Sequence, residues 1–321
     1  MANENFHTLV IANPQSAGGS LGRKWEQLST MITDHYGSFA HRFTESAGDA
    51  TRIAREALET GDYEMIVAMG GDGTISEVVD GFFTEAGPVR QETVFGVLPF
   101  GTGGDFRKTI NVSKKLDEGA AQLRGKDTTE IDVGRLTYID NQGIERIRHY
   151  VNIASFGISG LVDRYVNQSS KALGGALTFA ICTVRASIKY NAQLARLRLD
   201  EQDPIEVTLQ TVAVANGRYF GGGMQFAPGA KLDDGLFDVV TLAPMSFGKT
   251  LTDGLRVYKG THVDLPEVTV RRAAKVVAEP VDPDEHILLD VDGETPGRLP
   301  ATFELLPGAL RLKRPIALTT N

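Results

Sequence analysis

Cysteine is almost absent from this chain of 321 residues, which contains only Cys182. A disulfide within the chain is therefore excluded, and a reducing cytoplasm is the expected compartment. Cys182 ends the apolar run L-T-F-A-I-C, so we expect a buried structural thiol there and no nucleophile. The polar residues 1–7 lack the basic and apolar segments of a signal peptide, which also favours a cytoplasmic protein.

Long apolar runs and an excess of basic residues are missing as well. The most apolar window, residues 172–188, is interrupted by glycines, threonines and an arginine, and is too short to span a bilayer. Acidic residues outnumber basic residues by 41 to 33, which gives a net charge of −8. This balance provides no basic surface for nucleic acid, so we expect no nucleic-acid partner.

Patterns typical of several other chemistries are also absent. The six histidines show no H-x-x-x-H or Cys-His spacing, so a zinc site is not expected, and there is no G-x-S-x-G nucleophile motif. Residues 243–250, A-P-M-S-F-G-K-T, fit a relaxed P-loop pattern, but Pro244 removes an amide that a phosphate would need. We interpret Ser246 instead as the N-cap of a helix.

Strands and helices alternate over about the first 130 residues. Apolar strand patterns occur at 8–12, 39–43, 64–69 and 94–98, and helical patterns at 21–36, 47–59, after 74, after 102 and at 113–124. This alternation predicts a parallel sheet with helices on both faces, in which ligands bind at the carboxyl ends of the strands.

From residue 129 onward, apolar and polar residues alternate as in β-strands. We expect a hairpin over 132–154 around the turn 140–143, with helical stretches near 157–190 and 246–259. Further strands are predicted at 194–199, 205–215, 236–242, 268–277, 286–291 and 300–306. The predicted fold is α/β, with a Rossmann-like domain at 1–130, a β-sandwich-like domain at 131–304 and a cleft between them.

Three loops at predicted strand ends combine glycines with a hydroxyl or an amide. They are N-P-Q-S-A-G-G at 13–19, G-G-D-G-T at 70–74 and L-P-F-G-T-G-G-D-F at 98–106. Glycines allow backbone amides to approach an anion, and Ser16, Thr74 and Thr102 can bond phosphate oxygens or cap the following helices. Helix capping explains any one loop equally well, but three neighbouring loops favour a shared phosphate site.

Four acidic residues lie in turns that contain glycine: Asp72, Asp105, Asp234 and Glu294. Carboxylates beside a polyphosphate are expected mainly where Mg²⁺ lies between them, and a carboxylate can also accept the proton of an attacking hydroxyl. Because Asp-Gly pairs are also common in ordinary turns, simple turn formation stays the alternative.

The ordered motifs resemble those of the bacterial diacylglycerol kinase-like lipid kinases, which are related to sphingosine kinases and more distantly to NAD kinases. The resemblance covers nearly the whole chain and rests on the three loops together with A-P-G-A-K-L-D-D-G-L-F-D-V and V-D-G-E-T. It implies transfer of the γ-phosphoryl group of ATP, with Mg²⁺, to diacylglycerol or a related lipid at the inner membrane face. It also implies that a C-terminal strand, within about 305–321, returns to the first domain.

The same resemblance assigns roles to individual residues. Asp72 and Asp105 would serve the ATP-bound Mg²⁺, and Glu294 would be the catalytic base. A structural Mg²⁺ would be bound by the carbonyl oxygens of Lys231 and Leu236 and by the side chain of Asp234. The implied ATP site consists of Asn13, Pro14, Gln15, Ser16, Ala17, Thr44, Gly70, Gly71, Asp72, Gly73, Thr74, Glu77 and Thr102.

Two of the motifs depart from the family pattern, at three positions. Gly104 stands where asparagine is common, and Ala17 stands where glycine is common. At the next position, where the family has a basic residue, this chain has Gly18. We therefore expect Arg23 or Lys24 to supply the positive charge near the phosphates. Because the acidic residues are all retained, we expect activity to be retained.

Several alternatives stay open at this stage. The acceptor could be a soluble alcohol, as in NAD kinase, or the chain could be a nucleotide-binding regulator without transferase activity. The segment 170–190 fits a membrane-facing helix, although an amphipathic helix packed on the second domain is the preferred interpretation. The oligomeric state is open, a homodimer included.

Overall fold

The computed structural model describes residues 5–101, 104–168, 190 and 192–316. The chain divides into two compact units, Met1–Asp132 with Pro307–Asn321 and Val133–Leu306. Three predictions fall outside the described residues: the phosphate contact of Thr102, the buried thiol of Cys182 and the helix over 170–189.

The first unit contains a parallel sheet with the strand order β6–β3–β1–β2. Its strands are β1 (Thr8–Ala12), β2 (Ala40–Phe43), β3 (Met65–Gly70) and β6 (Val94–Pro99). The three inner strands are buried along their whole length, which explains their continuous apolar sequences. β2 is an exposed edge strand. A short hairpin, β4 (Phe83–Thr84) with β5 (Gly87–Pro88), lies outside this sheet.

Helices cover both faces of this sheet. They are α1 (Ser16–Arg23), α2 (Trp25–His35), α3 (Asp49–Thr60), α4 (Asp72–Gly81), α5 (Asp105–Thr109) and α6 (Leu116–Gln122). Leu28 and Ile32 of α2 share a core with Val10 and Val67 of the sheet, while α3 packs against α4.

The single helix predicted over residues 21–36 is in fact two helices, α1 and α2, separated at Lys24. Ala17, Gly18 and Gly19 have φ values of 52°, 65° and 77°, so the chain makes a left-handed turn before regular helix begins. Right-handed helix cannot continue through such residues, and two successive glycines make the turn accessible.

The second unit contains two antiparallel sheets. Its strands are β7 (Thr128–Asp140), β8 (Glu145–Tyr150), β9 (Ile153–Gly157), β10 (Gln193–Leu199), β11 (Ile205–Leu209), β12 (Thr211–Ala215), β13 (Phe237–Leu242), β14 (Val268–Ala273), β15 (Lys275–Pro280), β16 (Leu289–Val291) and β17 (Gly297–Lys313). One set of antiparallel strands has the order β11–β10–β15–β17, with β7 paired to β17 and to β8, and it belongs through β17 to the same ten-stranded sheet as β6–β3–β1–β2. The other sheet has the order β14–β13–β12–β9–β16.

One apolar core joins the two sheets into a sandwich. Leu197, Ala278 and Phe303 of the first sheet share it with Val212 and Phe156 of the second. The helix α7 (Ile158–Gln168) follows β9, and α8 (Phe247–Asp253) leads into 3-10 turns at Gly254–Lys259 and Thr261–Asp264. The predicted fold class, an α/β unit followed by a β-sandwich-like unit, is confirmed.

Two predicted strands are each split between the sheets. Residues 205–215 form β11 and β12, which separate at Gln210, and residues 268–277 form parts of β14 and β15, which separate at Ala274. The change at Gln210 has a physical cause. β11 alternates partly buried and exposed residues because one face meets solvent, whereas β12 is buried throughout because both of its faces are covered.

The long strand β17 begins in the second unit and ends in the first. Its residues Arg311 and Leu312 pair in parallel with Val94 and Phe95 of β6. Within the described part of the chain, no helix is long and apolar enough to cross a membrane.

Candidate functional site

The three glycine-containing loops of the first unit leave the carboxyl ends of adjacent strands. Ala12 pairs with Met69, and Gly70 pairs with Pro99, so the ends of β1, β3 and β6 lie side by side. The side-chain Nδ2 of Asn13 donates to Thr74 Oγ1 at 3.3 Å, and the Phe100 N–H donates to the Gly70 carbonyl at 2.8 Å. The structure thus brings the loops together, as expected for a shared phosphate site.

The first loop is shaped by Asn13 and by the left-handed turn. Asn13 Oδ1 accepts a hydrogen bond from the Gln15 N–H at 2.9 Å, and the Ser16 N–H donates to the Asn13 carbonyl at 3.0 Å. Arg23 folds back over the turn, since its Nη1 lies 2.8 Å from where a Cβ on Gly19 would be. Of the two candidate cations, Arg23 is therefore the one placed against this loop.

The second loop depends on close backbone packing. A Cβ on Gly70 would collide with the Thr74 side chain, and a Cβ on Gly101 would lie 3.2 Å from Gly71 Cα. A Cβ on Gly71 would meet nothing within 4 Å, so this residue has open space beside it. Gly73 follows Asp72 in the first turn of α4. An anion could approach the backbone of Gly71 without steric hindrance.

Asp72 has a role that the sequence did not reveal. The Gly104 N–H donates to Asp72 Oδ2 at 2.8 Å, and the N–H groups of Asp105 and Phe106 donate to Oδ1 at 2.9 and 3.1 Å. The carboxylate therefore satisfies the free amides at the start of α5 and fixes the third loop against the second.

Asp105 is buried and lies beside a cation. Its Oδ1 forms an ion pair with Lys108 Nζ at 2.9 Å, one turn further along α5. Sequence spacing could have identified Lys108, because residues three apart on a helix are neighbours. Gly104 precedes Asp105 with φ 75°, a conformation that glycine and asparagine adopt more easily than other residues, so the departure from the family's asparagine is conformationally compatible.

Mg²⁺ needs only one or two carboxylates and completes its shell with phosphate oxygens and water, so Asp72 and Asp105 have the donor chemistry for such an ion. A cation bound through Asp105 Oδ1 would compete with Lys108. Asp72 Oδ2 accepts a single N–H bond among its described contacts and keeps a lone pair. Among the described residues, no group of three His, Cys, Asp or Glu side chains could hold a metal ion unaided.

Glu77 and Thr44 lie at the neighbouring end of α3. Glu77 accepts hydrogen bonds from the N–H groups of Gly48 and Ala50, at 2.9 and 3.1 Å, and so caps α3. Thr44 is buried, and its N–H donates to the Ala12 carbonyl at 3.0 Å. Both residues lie near the loops to which the resemblance assigns them.

Glu294 lies in a tight turn of the second unit, directly after β16. The Val291 N–H donates to the Glu294 carbonyl at 2.9 Å, and the Glu294 N–H donates to the Val291 carbonyl at 3.1 Å. Glu294 Oε2 forms an ion pair with Arg148 Nη1 at 2.7 Å, while the Glu294 side chain stays 42% exposed. Arg148 carries no local sequence signal, and sequence reasoning missed it.

A buried polar group supports this turn from below. Asp290 Oδ1 accepts the Gly293 N–H at 3.0 Å, and its Oδ2 accepts the Ser155 hydroxyl, also at 3.0 Å. Asp290 and Ser155 are both buried, so their hydrogen bonds hold the turn that carries Glu294 in place.

The proposed structural metal site contains an arginine. Asp234 Oδ1 accepts the Leu236 N–H at 3.3 Å, whereas its Oδ2 forms an ion pair with Arg272. Arg272 Nε also donates to Asp238 Oδ1 at 3.2 Å, and burial raises the pKa of Asp238 above its usual value. Lys231 is exposed at the start of this turn. A cation bound through Asp234 Oδ2 would therefore compete with Arg272.

The P-loop interpretation of residues 243–250 is not supported, and the predicted helix cap is confirmed. Ser246 Oγ accepts a hydrogen bond from the Lys249 N–H at 3.4 Å, at the start of α8. Lys249 forms an ion pair with Glu267.

Comparisons with known proteins agree with these motifs. Residues 7–136 match the diacylglycerol kinase catalytic domain, and residues 152–314 match the YegS C-terminal NAD kinase beta sandwich-like domain. A diacylglycerol kinase of Mycobacterium tuberculosis is 31% identical over 277 residues, which cover 84% of this chain and 82% of that protein. A probable lipid kinase YegS-like of Chromohalobacter salexigens is 31% identical over 284 residues, covering 86% and 84%.

The same architecture occurs in a solved structure. A crystal structure of a putative diacylglycerol kinase from Bacillus anthracis superposes with a TM-score of 0.74 at 24% identity, covering 97% of this chain and 98% of that one. At this identity the likeness establishes the fold alone.

Proposed function

This chain belongs to the diacylglycerol kinase family, and from that premise we propose that it transfers the γ-phosphoryl group of ATP to the hydroxyl of a lipid, diacylglycerol or a close relative. The observation that carries the proposal is the meeting of three glycine-containing loops at adjacent strand ends, where Asn13 bonds the second loop and Asp72 of the second loop bonds the third. At this edge of the sheet, backbone amides can bind phosphates, and carboxylates can bind the Mg²⁺ that accompanies them.

The first unit would bind the nucleotide. Backbone amides near Gly71 and the guanidinium of Arg23 would hold phosphate oxygens, with Thr74 beside them. Asp105 and the remaining lone pair of Asp72 Oδ2 would hold Mg²⁺, which, when bound, neutralises charge on the transferring phosphoryl group. A structural Mg²⁺ at Asp234, Lys231 and Leu236 belongs to the same proposal and would require Arg272 to release the carboxylate.

The second unit would supply the base. Arg148 holds Glu294 Oε2 at 2.7 Å, so Oε1 is the oxygen that would accept the proton of the lipid hydroxyl. The hydroxyl oxygen bonds to the γ-phosphorus, the bond from that phosphorus to the β-γ bridging oxygen breaks, and ADP leaves. The buried Asp290–Ser155 pair would keep the turn of Glu294 in place.

An acceptor panel tests this proposal. The purified protein is incubated with Mg²⁺ and ATP labelled in the γ-phosphate, and with diacylglycerol, phosphatidylglycerol or sphingosine in mixed micelles, or with soluble NAD. We expect label in a lipid product, with diacylglycerol or a relative preferred. Label found only in NADP would show that the acceptor is a soluble alcohol and no lipid. ATP binding without transfer to any acceptor would indicate a nucleotide-binding regulator.

A further inference from the structure

Arg148 contacts the proposed base from the other sheet of the second unit. β8, which carries Arg148, pairs among the described strands only with β7 and forms an edge of the ten-stranded sheet. Glu294 follows β16, which forms an edge of the five-stranded sheet. Arg148 Nη1 and Glu294 Oε2 are 2.7 Å apart, so their ion pair joins the edges of the two sheets.

Arg148 lies on the face of β8 that is turned toward the core of the sandwich. It stands directly opposite Leu136 of β7, a member of the shared core, and residues directly opposite on antiparallel strands share a face. Tyr150, two residues along β8 and therefore on the same face, is fully buried. The Arg148 side chain is only 14% exposed. A charge in this position is costly unless it is paired, and an apolar residue would satisfy packing alone.

The backbone of the turn that carries Glu294 is fixed by contacts that do not involve Arg148. Val291 and Glu294 exchange two backbone hydrogen bonds, at 2.9 and 3.1 Å, and the Gly293 N–H donates to the buried Asp290 at 3.0 Å. The ion pair acts instead on the carboxylate of Glu294, whose side chain is 42% exposed. A glutamate side chain with this exposure has several rotamers open to it unless a partner selects one.

We propose that Arg148 is a positioning residue of the phosphoryl transfer, which holds the carboxylate of Glu294 in the orientation that presents Oε1 to the acceptor. The inference rests on the proposed function, since it requires Glu294 to be the base. The hydroxyl proton passes to Oε1 while the hydroxyl oxygen bonds to the γ-phosphorus and ADP leaves, and Arg148 stays bonded to Oε2 throughout. Misplacement of a reacting group by about 1 Å can slow a reaction about a hundredfold, so the orientation of this carboxylate matters to the rate.

Steady-state transfer of label from ATP to diacylglycerol in mixed micelles tests this role. We expect kcat of Arg148→Met to fall about 10- to 100-fold, with the KM values for ATP and diacylglycerol within about twofold of the wild type, because no binding group is removed. Arg148→Lys keeps a cation for the one described contact and should recover most of kcat. Arg146→Met, two residues away on β8, removes the partner of Asp140 at 3.1 Å and is the matched control, which should keep the wild-type kcat.

A double variant shows whether Arg148 acts through Glu294. In Glu294→Gln the base is absent, so adding Arg148→Met should lower kcat by less than about twofold more. Urea unfolding checks that each variant is folded, and Arg148→Gln replaces Arg148→Met in both comparisons if methionine lowers stability. A wild-type kcat in Arg148→Met, equal falls with and without Glu294, or a fall that lysine does not recover would overturn the role.

The role of Arg148 and the proposed function fail in different ways. Transfer by the wild type, with an unchanged kcat in Arg148→Met, would refute the role and leave the kinase. A wild-type rate in Glu294→Gln would refute the base and the role of Arg148 with it, while the transfer itself would stand. Absence of transfer by the wild type to any acceptor would refute both.

Discussion

Ala17 holds a left-handed backbone conformation, with φ 52° and ψ 44°, in which any residue with a Cβ is crowded. Gly18 and Gly19 share this conformation without that cost. The family motif commonly has glycine at position 17, and the structure gives the physical reason. Ala17 is therefore a site of local strain within the candidate phosphate loop.

Replacing Ala17 by glycine should relieve this strain. We expect the free energy of unfolding of Ala17→Gly to rise by about 0.5 to 1 kcal/mol, the steric gain less the greater chain entropy of glycine. Urea unfolding measures the change. Ala121→Gly, in the right-handed helix α6, is the control and should lose about 1 kcal/mol. Equal losses in both variants would show that position 17 carries no strain.

His262 should make stability depend on pH. The side chain is buried, and burial lowers its pKa below the usual 6.5. The hydrogen bond between its Nε2 and the Phe226 carbonyl oxygen, at 3.1 Å, opposes this shift, as does the charge of Asp264, while Arg256 adds to it. Protonation therefore favours the unfolded chain, and stability falls as pH drops below 6.5, by at most about 1.4 kcal/mol per pH unit from this residue.

Urea unfolding at pH 7.5 and pH 5.5 measures this dependence in the wild type and in His262→Asn. The variant should lose less stability on acidification than the wild type. His41→Asn, which removes an exposed histidine, is the control and should retain the wild-type loss. The same pH dependence in all three proteins would contradict the assignment.

Helix α5 is held at its start by a residue from a different loop. Asp72 precedes α5 by some thirty residues and bonds three of its first amides. Helix capping usually uses a residue of the same segment, so a cap from a distant loop also couples the second and third loops. Any loss of this carboxylate should affect both loops together.

Removing the carboxylate of Asp72 should lower stability and prevent transfer. We expect Asp72→Ala to stay folded but to lose about 2 kcal/mol in the free energy of unfolding, and Asp72→Asn, which keeps one acceptor oxygen, to lose about 1 kcal/mol. Both variants should lack transferase activity. Glu59→Ala, at an exposed acid of α3, should leave stability and activity unchanged. Full activity in Asp72→Asn would show that the residue acts only as a cap.

Some parts of the candidate site could be predicted from the sequence, and others could not. The glycine loops were predictable because turn chemistry and apolar strands are local signals. The caps formed by Asp72 and Glu77 were not, because each depends on a loop that only the folded sheet brings near. The ion pair of Lys108 with Asp105 was not predicted but could have been, because the two residues are three positions apart on one helix.

Across the two units, alternation of strands and helices was enough to predict an α/β unit followed by a β-sandwich-like unit. The assignment of strands to sheets was not predictable, because residues 205–215 and 268–277 each change sheet within one apolar stretch. Partners such as Arg148 and Glu294 belong to distant strands and turns, and no local pattern links them. Long-range pairing is the part of this fold that the sequence leaves open.

We propose that this chain is a lipid kinase in which Glu294 takes the proton of the acceptor. The most direct test is the rate of label transfer from ATP to diacylglycerol in mixed micelles, for wild type and Glu294→Gln. Glu304→Gln, at an acid that pairs with Lys275 at 2.9 Å, is the control and should transfer at the wild-type rate. We expect Glu294→Gln to fold, to bind ATP as the wild type does and to transfer label about 10²- to 10⁴-fold more slowly. An unchanged rate in Glu294→Gln would contradict the assignment of Glu294 as the base.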